Sequence, residues 1–222
     1  MHAPANGGGY SLDRRNNFAG YSLPWERHTS ASKAGSAPSS NSSRSSSRRR
    51  HRSPATAPST SPPKGLKGSL AVLDERTVAY LDFAGSNAET IAHLRENGRI
   101  TLMWCAFQGP PNIVRVHGRG EPVFRDDPRF PGLLARFPEI DPTQHGLRAI
   151  IVVHADLVRD TCGFAVPFMA YEADRDLHGK RFAREDDASL NTYFENKEHV
   201  ATSIDGLPGL PLPLPPAPPS AA

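Results

Sequence analysis

The chain has 222 residues and a formal net charge of +3, enough for one ordinary domain with additional sequence. The charge is unevenly divided: residues 1–65 carry 10 Lys and Arg against 2 Asp and Glu, and residues 66–222 carry 16 against 21. No apolar run reaches the ~18 residues of a membrane span, the N-terminus lacks the apolar core of a secretory signal, and two cysteines, Cys105 and Cys162, are too few for a disulfide framework, which points to a reducing, cytoplasmic setting.

Residues 1–63 are predicted to be disordered. Ser30 to Ser61 holds thirteen serines, with Pro54, Pro58, Pro62 and Pro63 and almost no aliphatic side chains. Such a stretch cannot bury enough apolar surface to offset ~1–2 kcal/mol of backbone entropy per residue. Tyr10, Phe18, Tyr21 and Trp25 are too sparse to build a core. Arg44, Arg48, Arg49, Arg50 and Arg52 form a basic cluster, readable as a solvated tail, a nuclear address or a weak nucleic-acid patch. At the other end, residues 206–222 hold seven prolines and predict a flexible polyproline II tail. The folded domain is therefore expected over residues 64–205.

Within that domain Ser69–Leu73 and Thr77–Asp82 are short apolar runs that predict a hairpin. Ser86-Asn87-Ala88-Glu89 has the pattern of a capping box, in which Ser86 and Glu89 satisfy each other's backbone N–H groups and open a helix ending near Asn97-Gly98. Ile100–Phe107, Ile113–Gly118 and Gly120–Phe124 follow as strands. A helix starts after Asp126-Asp127-Pro128, with Phe130, Leu133, Leu134 and Phe137 on one stripe. Arg148–Val158 is a strand rich in Ile and Val, and a last helix is expected from Glu185 to His199. Strands joined mostly by hairpins, with helices between, give an α+β class: a small, mainly antiparallel barrel with helical covers.

The junction from Tyr80 to Thr90 runs a strand into a helix whose first N–H groups are free, an arrangement that suits a phosphate. Ser86, Asn87 and Thr90 add side-chain donors, whereas the charge of Glu89 would repel an anion. The alternative is simply a capped helix. On the strand 113–119, Arg115, His117 and Arg119 share one face, either solvated or holding an anion. Cys162 has no acid–base partner nearby in sequence and is expected to be a buried small hydrophobe. His93, His117, His145 and His154 lack the i, i+4 spacing of a helical metal pair, so no metal site is expected. The chain has no nucleophile elbow, P-loop or dinucleotide fingerprint.

The blocks Ser61-Pro62-Pro63-Lys64-Gly65, Tyr80-Leu81-Asp82, Gly85-Ser86, Glu89-Thr90-Ile91, Asn97-Gly98-Arg99-Ile100, Ile113–Gly120, Cys162-Gly163 and Ser203–Leu210 resemble, in order, the pyridoxamine 5'-phosphate oxidase-like family. The likeness spans roughly residues 61–210 and is nearest to a branch carrying the C-terminal Ser-Ile-Asp-Gly-Leu-Pro-Gly-Leu block. It implies a split β-barrel that binds flavin mononucleotide (FMN), often across a homodimer interface, and hence an FMN-dependent oxidoreductase. By resemblance, Ser86, Asn87 and Thr90 would take the phosphate, Lys64 and Arg115 would supply positive charge, and the Leu81–Asp82 backbone would edge the ring. Three departures stand out. Where the vitamin-making oxidases have Ser-Arg-Lys, this chain has Ser86, Asn87 and Ala88; their Gln near the ring corresponds to Ile113; and Ser/Arg-rich sequence stands where the branch has a helix and a strand pair. The departures favour the alternative of a non-catalytic split barrel that binds a ligand or only dimerises. A third reading is a nuclear or nucleic-acid partner acting through the basic tail.

Overall fold

A computed structural model describes residues 29–32, 60–85, 88–141 and 146–216. Its centre is one antiparallel sheet of seven strands: β1 (Thr29–Ser32), β2 (Pro63–Lys64), β3 (Leu70–Asp74), β4 (Thr77–Phe83), β5 (Arg99–Cys105), β6 (Ile113–Phe124) and β7 (Leu147–Thr161). Their order is β2-β1-β5-β6-β7-β4-β3. Five strands are long and two are short. Helix α1 (Glu89–Asn97) connects β4 to β5 and α2 (Phe130–Leu134) connects β6 to β7, while α3 (Leu177–Phe182), α4 (Asp187–Glu195) and α5 (Glu198–Ala201) follow β7. The result is an α+β split barrel with helical covers, as the strand pattern implied.

Strand β4 and the first half of β7 are buried on both faces, which is why their sequences read as continuous apolar runs rather than alternating ones. Along β7, Ala149, Ile151, Val153 and Ala155 face one core together with Val78, Tyr80, Ile91, Leu94, Ile100, Leu102 and Phe194. Ile150 and Val152 face a second core with Leu81, Val123, Phe130, Leu134 and Phe137. Each such aliphatic side chain contributes roughly 1.5–3 kcal/mol on full burial.

Several expected boundaries move. The two runs 113–118 and 120–124 are one 12-residue strand, because Gly118 carries a register shift against β7 rather than a break. The final helix divides into α4 and α5, and α3 precedes them unannounced by any apolar stripe. Helix α1 begins at Glu89, with Ala88 at its N-cap and no side-chain cap. Glu89, in the first turn, accepts the Ile204 N–H at 2.8 Å; the other half of the expected capping box is Ser86. Ser86 and Asn87 lie outside the described residues. A true capping box forms at α4, between Asp186 and Ser189.

At both ends the described residues, 29–32 and 206–216, depart from the expected disorder. Thr29–Ser32, within the segment 1–63, forms β1 and pairs with both β5 and β2. A strand there supplies hydrogen bonds to an edge of β5 that would otherwise stay open. Beyond residue 205 the chain remains packed as far as it is described: Leu210 and Leu214 enter the first core, and Asn191 accepts the Leu214 N–H at 2.6 Å while donating to the Leu214 carbonyl at 3.3 Å. Tyr10, Trp25 and the arginines of the basic cluster lie outside the described residues.

Gly118 leaves the least room for a Cβ of any described glycine. A Cβ there would stand 2.0 Å from the His154 carbonyl oxygen and 3.1 Å from the Ala155 Cα. Gly118→Ala must push β6 and β7 apart, which at the usual cost of overpacking is about 1–3 kcal/mol. Urea unfolding is expected to show a lowered midpoint with an unchanged slope, and a midpoint equal to that of the parent would contradict this packing.

Candidate functional site

Strand β4 ends at the most polar point of the interior. Asp82 is buried and lies next to Arg148 of β7, whose Nε donates to its Oδ2 at 2.9 Å and whose second guanidinium nitrogen stands 2.8 Å from the same oxygen. Lys64 of β2 donates to Oδ1 at 3.2 Å. Burial would raise the Asp82 carboxyl, but Arg148 and then Lys64 outweigh it and hold the group below its ordinary value. Beside them, burial and then the Asp82 charge push the Tyr80 hydroxyl well above its ordinary value, so it stays protonated. The Lys64 ammonium lies 5.7 Å from the centre of the Tyr80 ring.

Two cavities flank this end of β4 and share Lys64. The larger, about 770 Å³, is lined by Leu81, Phe83, Met103, Phe107, Tyr171 and His178, with Cys105 in its wall. Its volume falls within the ~300–1,000 Å³ usual for cofactor sites. The smaller, about 210 Å³, is lined by Lys64, Asp82, Arg148, Thr60 and the first turn of α1, Ala88 to Ile91. Alternation along β4 explains the division: Leu81 and Phe83 face one side and Asp82 the other. Thr90 is only 8% exposed, and its hydroxyl oxygen has no hydrogen-bond partner among the described residues.

The corner after β4 is held from outside. His178 Nε2 donates to the Ala84 carbonyl at 2.8 Å, which fixes the proton on that nitrogen. The His178 ring lies 5.1 Å from the Phe83 ring and 4.7 Å from the Phe182 ring. Tyr193 donates its hydroxyl to the Gly85 carbonyl at 3.2 Å.

The expected site residues thus separate. Lys64 lines both cavities, Leu81 the larger, and Asp82 and Thr90 the smaller. Arg115 lines neither: it donates to Thr161 at 3.0 Å, although its cross-strand partner Met103 lines the larger cavity. Ser86 and Asn87 lie outside the described residues. Sequence reasoning missed Arg148, whose signal was a charge heading the buried run Ala149–Val153. It also missed Tyr171 and His178, which carried no periodic signal. Cys105 and Cys162 are both free thiols, and Cys162 is exposed rather than buried.

The sequence matches a family model for pyridoxamine 5'-phosphate oxidase over residues 52–162, half of the chain. The chain belongs to the pyridoxamine 5'-phosphate oxidase family. It is similar to the pyridoxamine 5'-phosphate oxidase family protein ustO of Aspergillus flavus, with 36% identity over 160 residues, covering 67% of this chain and 64% of that protein. The chain therefore spans less than two thirds of that relative. Among solved structures it is similar to a protein assigned as a pyridoxamine 5'-phosphate oxidase from Lactobacillus delbrueckii (17% identity, TM-score 0.38, covering 60% of this chain and 84% of that one). It is also similar to HupZ of Group A Streptococcus (12% identity, TM-score 0.41, covering 67% and 91%). Among the described residues no helix is long and apolar enough to cross a membrane.

The Asp82 cluster has a definite acid dependence. Because the folded carboxyl titrates below the unfolded one, its stabilisation is complete above the unfolded value, about 3.9, and is lost as pH falls through the lower folded value. Asp82→Asn leaves Arg148 buried without its counter-charge and is expected to cost about 3–5 kcal/mol at neutral pH. Urea midpoints measured across the acid range are expected to fall more steeply below about pH 4 in the parent than in Asp82→Asn. Parallel curves would assign the acid sensitivity to other carboxyls.

Proposed function

We propose that this protein binds FMN and acts as a flavin-dependent oxidoreductase on a small-molecule substrate. The observation that carries this is the adjacency of a mainly apolar cavity large enough for a fused aromatic ring and a small polar cavity containing a buried threonine hydroxyl that has no partner among the described residues. Leu81, Phe83, Met103, Phe107 and Tyr171 would hold the ring, with the Leu81–Asp82 backbone along its edge. Thr90 and the first N–H groups of α1, together with Ser86 and Asn87 before it in sequence, would take the phosphate. Lys64 and Arg148 would supply positive charge, moderated by Asp82, and Arg115 would add charge from the face it shares with Met103. When bound, FMN supplies two-electron redox chemistry. The chain's own contribution is to bind, to orient, and to keep water from an apolar cavity.

The protein is proposed to work as a homodimer. Phe164 and Phe168 are 84% and 85% exposed, with Leu157, Met169 and Leu177 also open to solvent. Met169 is tied to the cavity wall through its N–H bond to the Phe107 carbonyl, 3.0 Å. Large exposed apolar side chains beside a cavity suit a partner surface. Cytoplasmic residence follows from the free cysteines as a proposal of the same standing.

One observation favours the second reading, a split barrel that binds a ligand without catalysis. At the position of the oxidases' lysine, Ala88 is buried, and a Cβ added to Gly209 would stand 2.4 Å from the Ala88 Cβ. The C-terminal segment fills the space a lysine side chain would need.

Thr90→Val separates a binding role from a structural one. Among the described residues the hydroxyl has no partner to lose, so the thermal midpoint without ligand is expected to be unchanged or raised. FMN affinity, read by quenching of flavin fluorescence, is expected to fall about tenfold, the value of one charge-assisted hydrogen bond. Asn87→Arg is expected to tighten binding by a similar factor. A parent chain that leaves flavin fluorescence unchanged at millimolar FMN would sink the flavin reading.

A further inference from the structure

Helix α1 presents a second chemical grouping to the C-terminal turn, adjoining the small cavity through Glu89. Glu89 and His93 are one helical turn apart, and Asp205 reaches them from 112 residues further along the chain. His93 Nε2 lies 3.1 Å from Asp205 Oδ1 and 3.9 Å from Glu89 Oε2, and the three donor atoms all fall within 4.8 Å of one another. His93 is 0% exposed. Outer hydrogen bonds set the direction of both carboxylates. The Ile204 N–H occupies Glu89 Oε1 and leaves Oε2 turned to the imidazole, and the Ser203 hydroxyl donates to Asp205. Ligating carboxylates in metal sites are oriented by such outer donors.

We propose that Glu89, His93 and Asp205 bind a first-row divalent cation, with Zn²⁺ the ion this donor set suits. One imidazole and two carboxylates are hard-to-borderline ligands that Zn²⁺ accepts at about 2.0–2.2 Å. Bonds of that length at roughly tetrahedral or octahedral angles place donor atoms about 3.0–3.5 Å apart. The His93–Asp205 distance already meets this, and the His93–Glu89 distance meets it after a shift of about half an ångström of a glutamate side chain. Two carboxylates converge on one imidazole in a site largely removed from water, where a bound cation is held by charge as well as by coordination. The expectation of no metal site rested on histidine pairs; the helical pair here is Glu–His at i, i+4, closed by an aspartate from a distant turn.

The ion would be structural. It would fasten Ser203–Gly206 to α1, beside the contacts of Arg95 with the Pro208 and Gly209 carbonyls at 3.3 and 2.9 Å and of Leu210 with the core. Zn²⁺ uptake is measured without flavin, so this site and the flavin reading fail separately.

The test uses the full chain freed of metal with a chelator, desalted and titrated with ZnCl₂ by calorimetry. Expected are one Zn²⁺ per chain at micromolar affinity or better and a thermal midpoint that rises with Zn²⁺ concentration. Asp205→Asn retains the shape of the turn and a hydrogen-bond acceptor for His93, and it is expected to weaken binding at least tenfold, as is Glu89→Gln. His154→Asn, on an exposed histidine outside the cluster, is expected to leave binding unchanged. The absence of stoichiometric Zn²⁺, or binding that survives Asp205→Asn undiminished, would overturn the proposal and leave the cluster as a histidine–carboxylate ion pair.

Discussion

The architecture depends on one buried carboxylate. Asp82 sits on β4, second from one end of the strand order, and Lys64 sits on β2, at the other end. Their 3.2 Å contact joins strands that share no ladder, which requires the sheet to curl until its ends approach. Arg148, on the strand beside β4, completes the charge balance on the other oxygen. A lone buried carboxylate would cost several kcal/mol, and each partner alone would leave an uncompensated cation. The cluster therefore demands that β2, β4 and β7 meet at one point, and the two cavities lie on either side of that point.

This closure also shapes what the site can hold. Lys64 and Arg148 both line the small cavity, but each is already engaged by Asp82, so neither offers the undivided charge that an added Arg-Lys pair would. What remains for an anion is the start of α1 and the Thr90 hydroxyl. A helix terminus contributes roughly 0.3–1 kcal/mol to an anion at exposed sites, against about 1.5–3 for each charge-assisted hydrogen bond. The sequence raised Glu89 as an obstacle to an anion. In the structure its carboxylate, although in the cavity wall, is engaged by the Ile204 N–H and faces His93, which lowers its opposition to a phosphate. Under the proposed flavin reading, the balance would be a weaker phosphate site than the resemblance implies for the vitamin-making members, but not an abolished one.

How much of this was legible in the sequence follows from how local each determinant is. The strands β3, β4, β5 and β7 and the helix α1 announce themselves through apolar runs and a Gly stop, because burial imposes its period on neighbouring residues. Strand β1 could not be seen, since Thr-Ser-Ala-Ser has no apolar pattern and owes its state to the open edge of β5. The tertiary role of Glu89 was not legible locally: its carboxylate accepts the N–H of Ile204, 115 residues away. Of the site, Thr90 was marked by its place at the strand-to-helix junction, whereas Lys64, Leu81 and Asp82 came from family resemblance, and composition alone would not have selected them. Arg148 had a physical signal, a charge within a run otherwise buried on both faces, which is tolerated only with a counter-charge opposite.

The C-terminal segment shows why proline content alone misjudged residues 206–216. Proline lacks an N–H, so a chain of alternating Leu and Pro enters a protein interior with fewer donors to satisfy than any other extended segment. Residues 207–216 use this: Leu210 and Leu214 anchor in the core, Asn191 serves both the N–H and the carbonyl of Leu214, and Arg95 takes the carbonyls of Pro208 and Gly209. Neither helix nor strand is needed. The approach is close enough at Gly209 that a Cβ would meet Ala88 and the Ala201 carbonyl, so the segment and the N-cap of α1 fix each other's position. The same contact that lets the tail pack thereby excludes a lysine at residue 88. The covering of α1 and the loss of a phosphate-binding cation are two consequences of one packing arrangement.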